Sequence, residues 1–291
     1  MNPSYNTIVS GQDLAAQLGN PNWRIFDCRH DLGNPAYGKA AYERAHIPGA
    51  HFMHLDRDLS GECTGLNGRH PLPGVEIFAE RLRACGVNAD GQVVAYDNEG
   101  GSFAARLWWL LRWLGYERVA VLDGGFAAWK QGKLPLDAAT PPQQGQGGDF
   151  IPQPHTQSTM KTVTADELLA QLEQPQQLLL DARIEGRFSG AQETVDPVGG
   201  HIPGAVNRFY MDNLDDNAIF FKTPEALRAE YDELLAGREP DAVVHQCGSG
   251  VTACHNLLAM ELAGLHGSRL YAGSWSEWCA DPSRPIVQAV R

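Results

Sequence analysis

The chain has 291 residues, of which 43% are hydrophobic, so it is long enough for two domains with substantial cores. Its formal net charge of −12 argues against a nucleic-acid-binding protein, because a phosphate backbone requires a basic surface. The most apolar stretch, residues 107–111, is closed by Arg112 and is far too short to cross a bilayer. We therefore expect a globular protein that binds neither nucleic acid nor membrane.

Six cysteines are spread along the chain without a Cys-x-x-Cys pair, at positions 28, 63, 85, 247, 254 and 279. This distribution fits free thiols in a reducing compartment better than a disulfide framework or a zinc site. The first six residues have neither the basic start nor the apolar segment of a secretory signal. These features predict a cytoplasmic protein without a bound metal.

Short apolar segments alternate with helical stretches along the chain. Residues 93–96 and 119–122 are typical of buried strands, and residues 75–85 and 103–114 are typical of helices. This alternation predicts an α/β fold, in which helices flank a mainly parallel sheet.

Three motifs occur once in each half and in the same order: Asp-x-Arg after an apolar strand (25–29 and 179–183), His-Ile-Pro-Gly-Ala (46–50 and 201–205), and a Gly- and Trp-containing segment (122–129 and 271–278). Between the halves, a stretch rich in Pro, Gly and Gln is typical of a linker. The sequence therefore predicts two similar α/β domains, residues 1–136 and 161–291, joined by a linker over residues 137–160.

The segment from residue 242 to residue 262 predicts a strand, a tight loop and a helix. Gly248 and Gly250 allow the loop to turn sharply and to aim its N–H groups at the Cys247 side chain. At the start of a helix, such a field favours the reactive thiolate. The matching position in the first half is Asp97, with no other nucleophile beside it, so the first half is expected to be catalytically silent.

Three kinds of chemistry use an activated cysteine in such a loop. A cysteine phosphatase needs an arginine at the position that Ala253 occupies here. A papain-like hydrolase needs a histidine base, and the adjacent His245 is placed in the strand. Transfer of sulfane sulfur, in which the thiolate takes up sulfur as a persulfide, is best suited to this small and uncharged loop.

The run Cys-Gly-Ser-Gly-Val-Thr at residues 247–252, the twin motifs and the closing Gly-Ser-Trp-Ser-Glu-Trp together resemble the tandem-domain rhodanese superfamily of 3-mercaptopyruvate and thiosulfate sulfurtransferases. The resemblance implies two rhodanese-like domains, with the cysteine in the second and the active site between them. It implies no cofactor, a small anionic sulfur donor, and an acceptor such as cyanide, a small thiol or a thioredoxin-like protein.

The resemblance also assigns roles to individual residues. Cys247 would carry the persulfide and Arg187 would bind the anion of the donor, while the loop residues would contact the sulfur: Gly248, Ser249, Gly250, Val251 and Thr252. His46 would relay a proton through Ser249. The alternative for His46, and for the matching His201, is a structural imidazole that holds its own loop by hydrogen bonds.

Two positions point to different sulfur donors. Gly248 and Ser249 are typical of the mercaptopyruvate branch, whereas thiosulfate enzymes carry basic residues there. Asp196, however, falls where the mercaptopyruvate branch has a second arginine, and this favours thiosulfate. We expect a 3-mercaptopyruvate sulfurtransferase, with thiosulfate:cyanide sulfurtransferase as the alternative enzyme. A persulfide carrier or redox-sensing binding module is the alternative from a different class.

Overall fold

The computed structural model describes residues 4–139, 147–153, 158–172 and 177–288. The chain divides into two compact units. The first comprises residues 1–61, 73–158 and 214–221, and the second comprises residues 62–72, 159–213 and 222–291. Each half of the chain thus contributes one short segment to the other unit. Much of the predicted linker, residues 140–146 and 154–157, lies outside the described residues.

The first unit contains a five-stranded sheet with the spatial order β1-β5-β4-β2-β3. Its strands are β1 (Ile8–Val9), β2 (Trp23–Asp27), β3 (His51–Phe52), β4 (Gln92–Tyr96) and β5 (Val119–Leu122). All neighbouring strands pair in parallel. The central strand β4 is buried along its whole length, as expected for a strand covered on both faces.

Within the described residues, the helices that accompany this sheet are α1 (Gly11–Ala15), α2 (Tyr37–Arg44), α3 (Leu55–Asp58), α4 (Val75–Ala84), α5 (Ala104–Trp113) and α6 (Gly125–Gln131). Nearly all of α5 is buried, and the side chains of Trp108 and Trp109 are completely shielded from solvent. This tryptophan-rich helix therefore packs in the core, because a helix that is buried around nearly its whole circumference must be surrounded by protein.

The second unit repeats this arrangement with the order β6-β10-β9-β7-β8, again all parallel. Its strands are β6 (Lys161–Thr162), β7 (Leu178–Asp181), β8 (Ala205–Asn207), β9 (Val243–Gln246) and β10 (Arg269–Leu270). Its helices are α7 (Ala165–Gln171), α8 (Glu185–Phe188), α9 (Pro224–Leu235), α10 (Ala253–Leu262) and α11 (Ser274–Trp278), with 3-10 turns at Tyr210–Asn213 and Pro240–Ala242. The predicted pair of parallel-sheet domains is confirmed.

The repeated Asp-x-Arg motifs form buried ion pairs at matching strand ends. Arg29 Nη2 lies 2.5 Å from Asp27 Oδ2, and Arg183 Nη2 lies 2.7 Å from Asp181 Oδ2. Each guanidinium also donates a 2.7 Å hydrogen bond to a backbone carbonyl just before the His-Ile-Pro-Gly-Ala motif of its own half. Since all four side chains are engaged in these contacts and buried, the motifs have a structural role.

Sheet order determines which loops of the second unit meet. Strand β9 is central, and it pairs with β7 so that Leu180 faces His245 and Asp181 faces Gln246. The carboxyl ends of neighbouring parallel strands open at one edge, which is where α/β folds place their sites. The loop after β9 and the helix α8 after β7 are therefore brought to the same edge.

Within the described residues, no helix is long and apolar enough to cross a membrane.

Candidate active site

Cys247 lies in the loop that joins β9 to α10, and only 2% of it is exposed. Its backbone N–H donates to Ser274 Oγ over 3.1 Å, and its carbonyl accepts from the N–H of Trp275 over 3.0 Å. Gly250 adopts a φ of +75°, and a Cβ there would lie 2.2 Å from the carbonyl oxygen of Ala272. The loop is thus held against the start of α11 and requires glycine at position 250.

The equivalent loop of the first unit shows what such a backbone can bind. Asp97 directly follows β4, and its carboxylate accepts four backbone N–H bonds of 2.8–2.9 Å, from Glu99, Gly101, Phe103 and Ala104. Burial raises the pKa of Asp97 above its usual value, and these four N–H groups oppose the rise. The backbone of this loop therefore converges on a negative charge.

The matching positions of the second loop lie as many residues after Cys247 as the four donors lie after Asp97. Those positions are Ser249, Val251, Ala253 and Cys254. The N–H of Cys254 donates to the carbonyl of Val251 over 3.0 Å. The second loop carries a thiol where the first carries a carboxylate. An anionic sulfur at this position would meet a similar set of backbone dipoles.

Ser249 contacts His70, a histidine that lies outside the repeated sequence motifs. Its Oγ lies 2.7 Å from Nδ1 of His70, and both residues are 6% exposed. His70 belongs to the segment 62–72 of the second unit. The segment is anchored next to the histidine, where the N–H of Arg69 donates to Ser276 Oγ over 3.0 Å. A titratable ring is therefore fixed on the hydroxyl two positions after the cysteine.

His46 has different partners. Its Nδ1 lies 2.7 Å from the carbonyl oxygen of Tyr42, its Nε2 lies 3.0 Å from that of Ala139, and its ring stacks on the Tyr42 ring with centroids 4.0 Å apart. His201 repeats this environment, since its ring stacks on Phe188 and its Nδ1 lies 3.0 Å from the Phe188 carbonyl. Both imidazoles hold their own loops, and the ring on Ser249 is that of His70 instead of His46.

Two arginines lie beside the residue that follows the cysteine. A Cβ built on Gly248 would be 2.9 Å from Arg69 Nη2 and 3.3 Å from Arg187 Nη1. Arg187 pairs through Nε with Glu193 at 3.0 Å and through Nη2 with Asp196 at 2.7 Å, and Arg69 Nη1 pairs with the other oxygen of Asp196. The predicted anion-binding arginine thus reaches the loop together with a second guanidinium.

The two carboxylates of this cluster are stabilised to different extents. Burial raises the pKa of Asp196, although Arg69 and Arg187 act against it. Burial acts in the same direction on Glu193, but backbone N–H bonds from residues 195 and 196 and the pair with Arg187 outweigh it and lower its pKa. Glu193 is therefore the better stabilised anion of the two.

The remaining loop neighbours have no evident acid–base role. His245 is completely buried, and burial lowers its pKa to about 3, so its ring is neutral near pH 7. Its Nε2 lies 3.2 Å from Met260 Sδ, and the ring therefore packs in the core and does not resemble the base of a papain-like site. Val251 is buried and Thr252 is the N-terminal cap of α10, without a side-chain capping bond.

Cysteine, histidine and carboxylate side chains are the groups that could bind a metal ion. All six cysteines are free thiols. Among residues 4–139, 147–153, 158–172 and 177–288, no group of three or more His, Cys, Asp or Glu side chains is arranged to hold a metal ion.

His70 and Arg69 could have been found from an asymmetry between the halves. Residues 68–70 read Gly-Arg-His in a loop before a helix, whereas the segment before the matching helix of the second half, residues 214–221, is acidic and apolar. A basic loop that the repeat does not share is a functional signal, because loops carry most binding and catalytic residues. The same comparison identifies Cys247 against Asp97.

Comparison with protein-family models finds the same repeat. A model described as a rhodanese-like domain matches the chain twice, over residues 10–132 and 164–281. These matches include Asp97 in the first copy and the whole Cys247 loop in the second.

Curated relatives extend along nearly the full chain. A probable 3-mercaptopyruvate sulfurtransferase of Pseudomonas aeruginosa is 49% identical over 282 residues, covering 96% of this chain and 97% of the relative. A putative thiosulfate sulfurtransferase, SseB, of Mycobacterium tuberculosis is 35% identical over 283 residues, covering 96% of both.

Solved structures are similar over the same extent. SseA of Escherichia coli, described as a 3-mercaptopyruvate sulfotransferase, matches with a TM-score of 0.78 and 31% identity and covers 93% of this chain and 99% of its own. The 3-mercaptopyruvate sulfurtransferase of Leishmania major matches with a TM-score of 0.81 and 29% identity, covering 94% of this chain and 74% of its own.

Proposed function

The chain belongs to the rhodanese family and is a sulfurtransferase, and we propose that it takes sulfur from 3-mercaptopyruvate as a persulfide on Cys247 and passes it to a thiol acceptor. The 49% identity to a probable 3-mercaptopyruvate sulfurtransferase supports the choice of donor. The observation that carries the proposal is the 2.7 Å contact between His70 and Ser249 beside the cysteine.

The two candidate donors differ in what their leaving group needs. When the Cys247 thiolate attacks the sulfur of 3-mercaptopyruvate, the carbon–sulfur bond breaks and its electron pair stays on carbon as the enolate of pyruvate. That enolate must gain a proton to leave as pyruvate. When the thiolate attacks thiosulfate, sulfite leaves with the electron pair and needs no proton. A proton relay at the cysteine therefore serves mercaptopyruvate and not thiosulfate.

His70 and Ser249 are proposed to form that relay. The imidazole passes a proton through the Ser249 hydroxyl to the departing carbon, and it is reprotonated from solvent after pyruvate leaves. A pair already held at hydrogen-bond distance delivers the proton without reorganising the site. The near-complete burial of both side chains keeps competing water away from the enolate.

The persulfide is proposed to rest in the backbone of its loop. The Asp97 loop, in which four N–H groups converge on a carboxylate, supports this role for the corresponding backbone from Ser249 to Cys254. In the second half-reaction, an acceptor thiolate attacks the outer sulfur. The sulfur–sulfur bond breaks, the acceptor leaves as a persulfide, and the Cys247 thiolate is restored.

Mass spectrometry tests the covalent step. After incubation with 3-mercaptopyruvate and no acceptor, the peptide that contains Cys247 should gain about 32 Da, the mass of one sulfur atom, and pyruvate should be released in equal amount. Addition of cyanide or a small thiol should remove the added mass. A Cys247→Ser variant that still turns over donor would overturn the mechanism, and Cys254→Ser serves as the matched control.

A thiosulfate:cyanide sulfurtransferase is the second candidate. It is favoured by Arg69 and Arg187, whose guanidinium groups bring positive charge against Gly248, where a dianionic donor gains most from it. Measurement of kcat/KM with both donors and cyanide as the common acceptor distinguishes the two functions. A higher kcat/KM for thiosulfate than for 3-mercaptopyruvate would reject the preferred donor and retain the Cys247 persulfide.

A further inference from the structure

We propose that Arg69 and Arg187 form a two-arginine clamp for the anionic group of the sulfur donor, and that the Asp196 carboxylate occupies this clamp until the donor replaces it. The inference deepens the proposed function and rests on it for the identity of the donor. It assigns to Arg69 and Asp196 the roles of specificity-determining residues.

The two guanidinium groups of the clamp lie next to the reactive cysteine. Both guanidinium groups lie within contact distance of a Cβ built on Gly248, the residue next to the reactive cysteine. The side chains are 29% and 17% exposed for Arg69 and Arg187, so solvent and a small ligand can reach them. A guanidinium binds carboxylate or sulfonate oxygens through a planar pair of N–H groups, and two such groups on one anion give orientation as well as affinity.

Asp196 pairs with both arginines of the clamp. Its carboxylate bridges the clamp, with one oxygen on Arg69 and the other 2.7 Å from Arg187 Nη2. A bridging carboxylate of this kind has the geometry that the carboxylate of a bound donor would adopt. Asp196 therefore occupies the clamp as an internal stand-in for the ligand.

The contrast with Glu193 shows that Asp196 is the replaceable partner. Glu193 accepts N–H bonds of 2.8 and 3.0 Å from the backbone of residues 195 and 196 in addition to its pair with Arg187 Nε. Asp196 is bound by the two guanidinium groups, and its raised pKa shows that its charge is less well compensated than that of Glu193. Exchange of Asp196 for another anion therefore costs less than exchange of Glu193.

The clamp also supplies a basis for donor selectivity. A monoanion such as mercaptopyruvate replaces the single charge of Asp196 and leaves the charge balance of the clamp unchanged. A dianion such as thiosulfate adds a further negative charge beside Glu193 and the displaced Asp196, which opposes binding. Asp196 thus favours monoanionic donors. Position 196, where the mercaptopyruvate branch has a second arginine, carries an aspartate here. Arg69, from the segment 62–72, provides the second positive charge instead.

Binding measurements on a Cys247→Ser background test the clamp without turnover. We expect Asp196→Asn to tighten binding of pyruvate about fivefold by isothermal titration calorimetry, and to tighten binding of thiosulfate more than that, because removal of one carboxylate leaves the arginines undercompensated. Arg69→Met should weaken pyruvate binding about tenfold. Asp196→Ser removes the same charge and should act like Asp196→Asn.

Matched controls come from an exposed ion pair on α9. Arg228 and Asp232 lie 2.8 Å apart and are each 50% exposed, so Arg228→Met and Asp232→Asn remove the same groups away from the loop and should leave both affinities unchanged. In the enzyme with Cys247 intact, Arg69→Met should raise KM for 3-mercaptopyruvate and change kcat by less than about twofold. A purely structural role of Arg69 would lower kcat as well.

Two results would overturn the clamp: unchanged pyruvate affinity in Arg69→Met, or weaker pyruvate binding in both Asp196 variants. Failure of the proposed function is recognised separately. In that case the wild-type chain forms no persulfide on Cys247 with 3-mercaptopyruvate, while the binding of pyruvate and thiosulfate to the Cys247→Ser variants still reports on the clamp.

Discussion

Nδ1 of His70 and Oγ of Ser249 lie 2.7 Å apart, although 179 residues separate them in the chain. The serine is part of the loop that turns around Cys247, and the histidine comes from the segment 62–72, which packs with the second unit. The pair thus joins the loop that carries Cys247 to a titratable ring from the other half of the sequence, the ring that we propose as the proton donor.

Replacement of His70 should separate the two donors. We expect His70→Asn to lower kcat with 3-mercaptopyruvate about 100-fold or more, because the enolate loses its proton source. The rate with thiosulfate should change by less than about threefold, since sulfite leaves unprotonated. Steady-state kinetics with cyanide as acceptor measures both. An equal loss with both donors would show that His70 supports the loop and does not transfer a proton.

Ser249 and His70 should act as one unit. Ser249→Ala removes the hydroxyl through which the proton passes, so its effect on kcat with 3-mercaptopyruvate should be similar to that of His70→Asn. The double variant should be about as slow as either single variant, because removal of either group alone already interrupts the proton transfer. A double-mutant cycle measures this coupling, and additive losses would contradict the relay.

Gly250 should tolerate no side chain. Gly250→Ala places a Cβ 2.2 Å from the carbonyl oxygen of Ala272 at a φ of +75°. We expect this variant to have a free energy of unfolding at least about 2 kcal/mol lower than that of the wild type. Gly264 has a similar φ of +73° and nothing within 4 Å of its built Cβ. Gly264→Ala is therefore the control for the backbone conformation alone. Urea denaturation of both variants gives the comparison, and equal losses would show that contact with Ala272 is unimportant.

His245 should make the protein sensitive to acid. Its folded-state pKa of about 3 lies below the ordinary value of 6.5, so the unfolded chain binds the proton more tightly and stability falls as the pH drops from 6.5 towards 3. Its Nδ1 has no hydrogen-bond partner among the described residues, so an apolar replacement leaves no donor or acceptor unsatisfied. Between pH 7 and pH 5, the wild type should lose about 2 kcal/mol more than His245→Leu. Parallel losses measured by urea denaturation would show that His245 is protonated in the fold.

Strand and helix patterns in the sequence predict much of this architecture. Buried parallel strands such as β4 are continuous apolar runs, and the repeat of three motifs predicts two similar domains. The Cys247 loop follows from the same local patterns, because glycines, a strand end and a helix start lie next to one another in the chain. Local sequence therefore identifies the cysteine and the loop that surrounds it.

Contacts between distant segments could not be predicted in this way. The resemblance placed the proton relay on His46, whereas the structure holds that ring between the carbonyls of Tyr42 and Ala139 and places His70 on Ser249. Both histidines precede an apolar residue or a proline in a loop, so only tertiary packing distinguishes them. The pairing of Asp196 with Arg69 depends likewise on the position of segment 62–72 in the second unit.

The membership of segment 62–72 in the second unit bears on how a duplicated chain can evolve. The first copy has Asp97 at the position that matches Cys247, yet it supplies His70 and Arg69 to the Cys247 loop. The proposed relay and clamp would therefore keep both copies under selection for catalysis. A chain shortened to residues 161–291 would retain the cysteine and lose the groups proposed to protonate its product and to hold its donor.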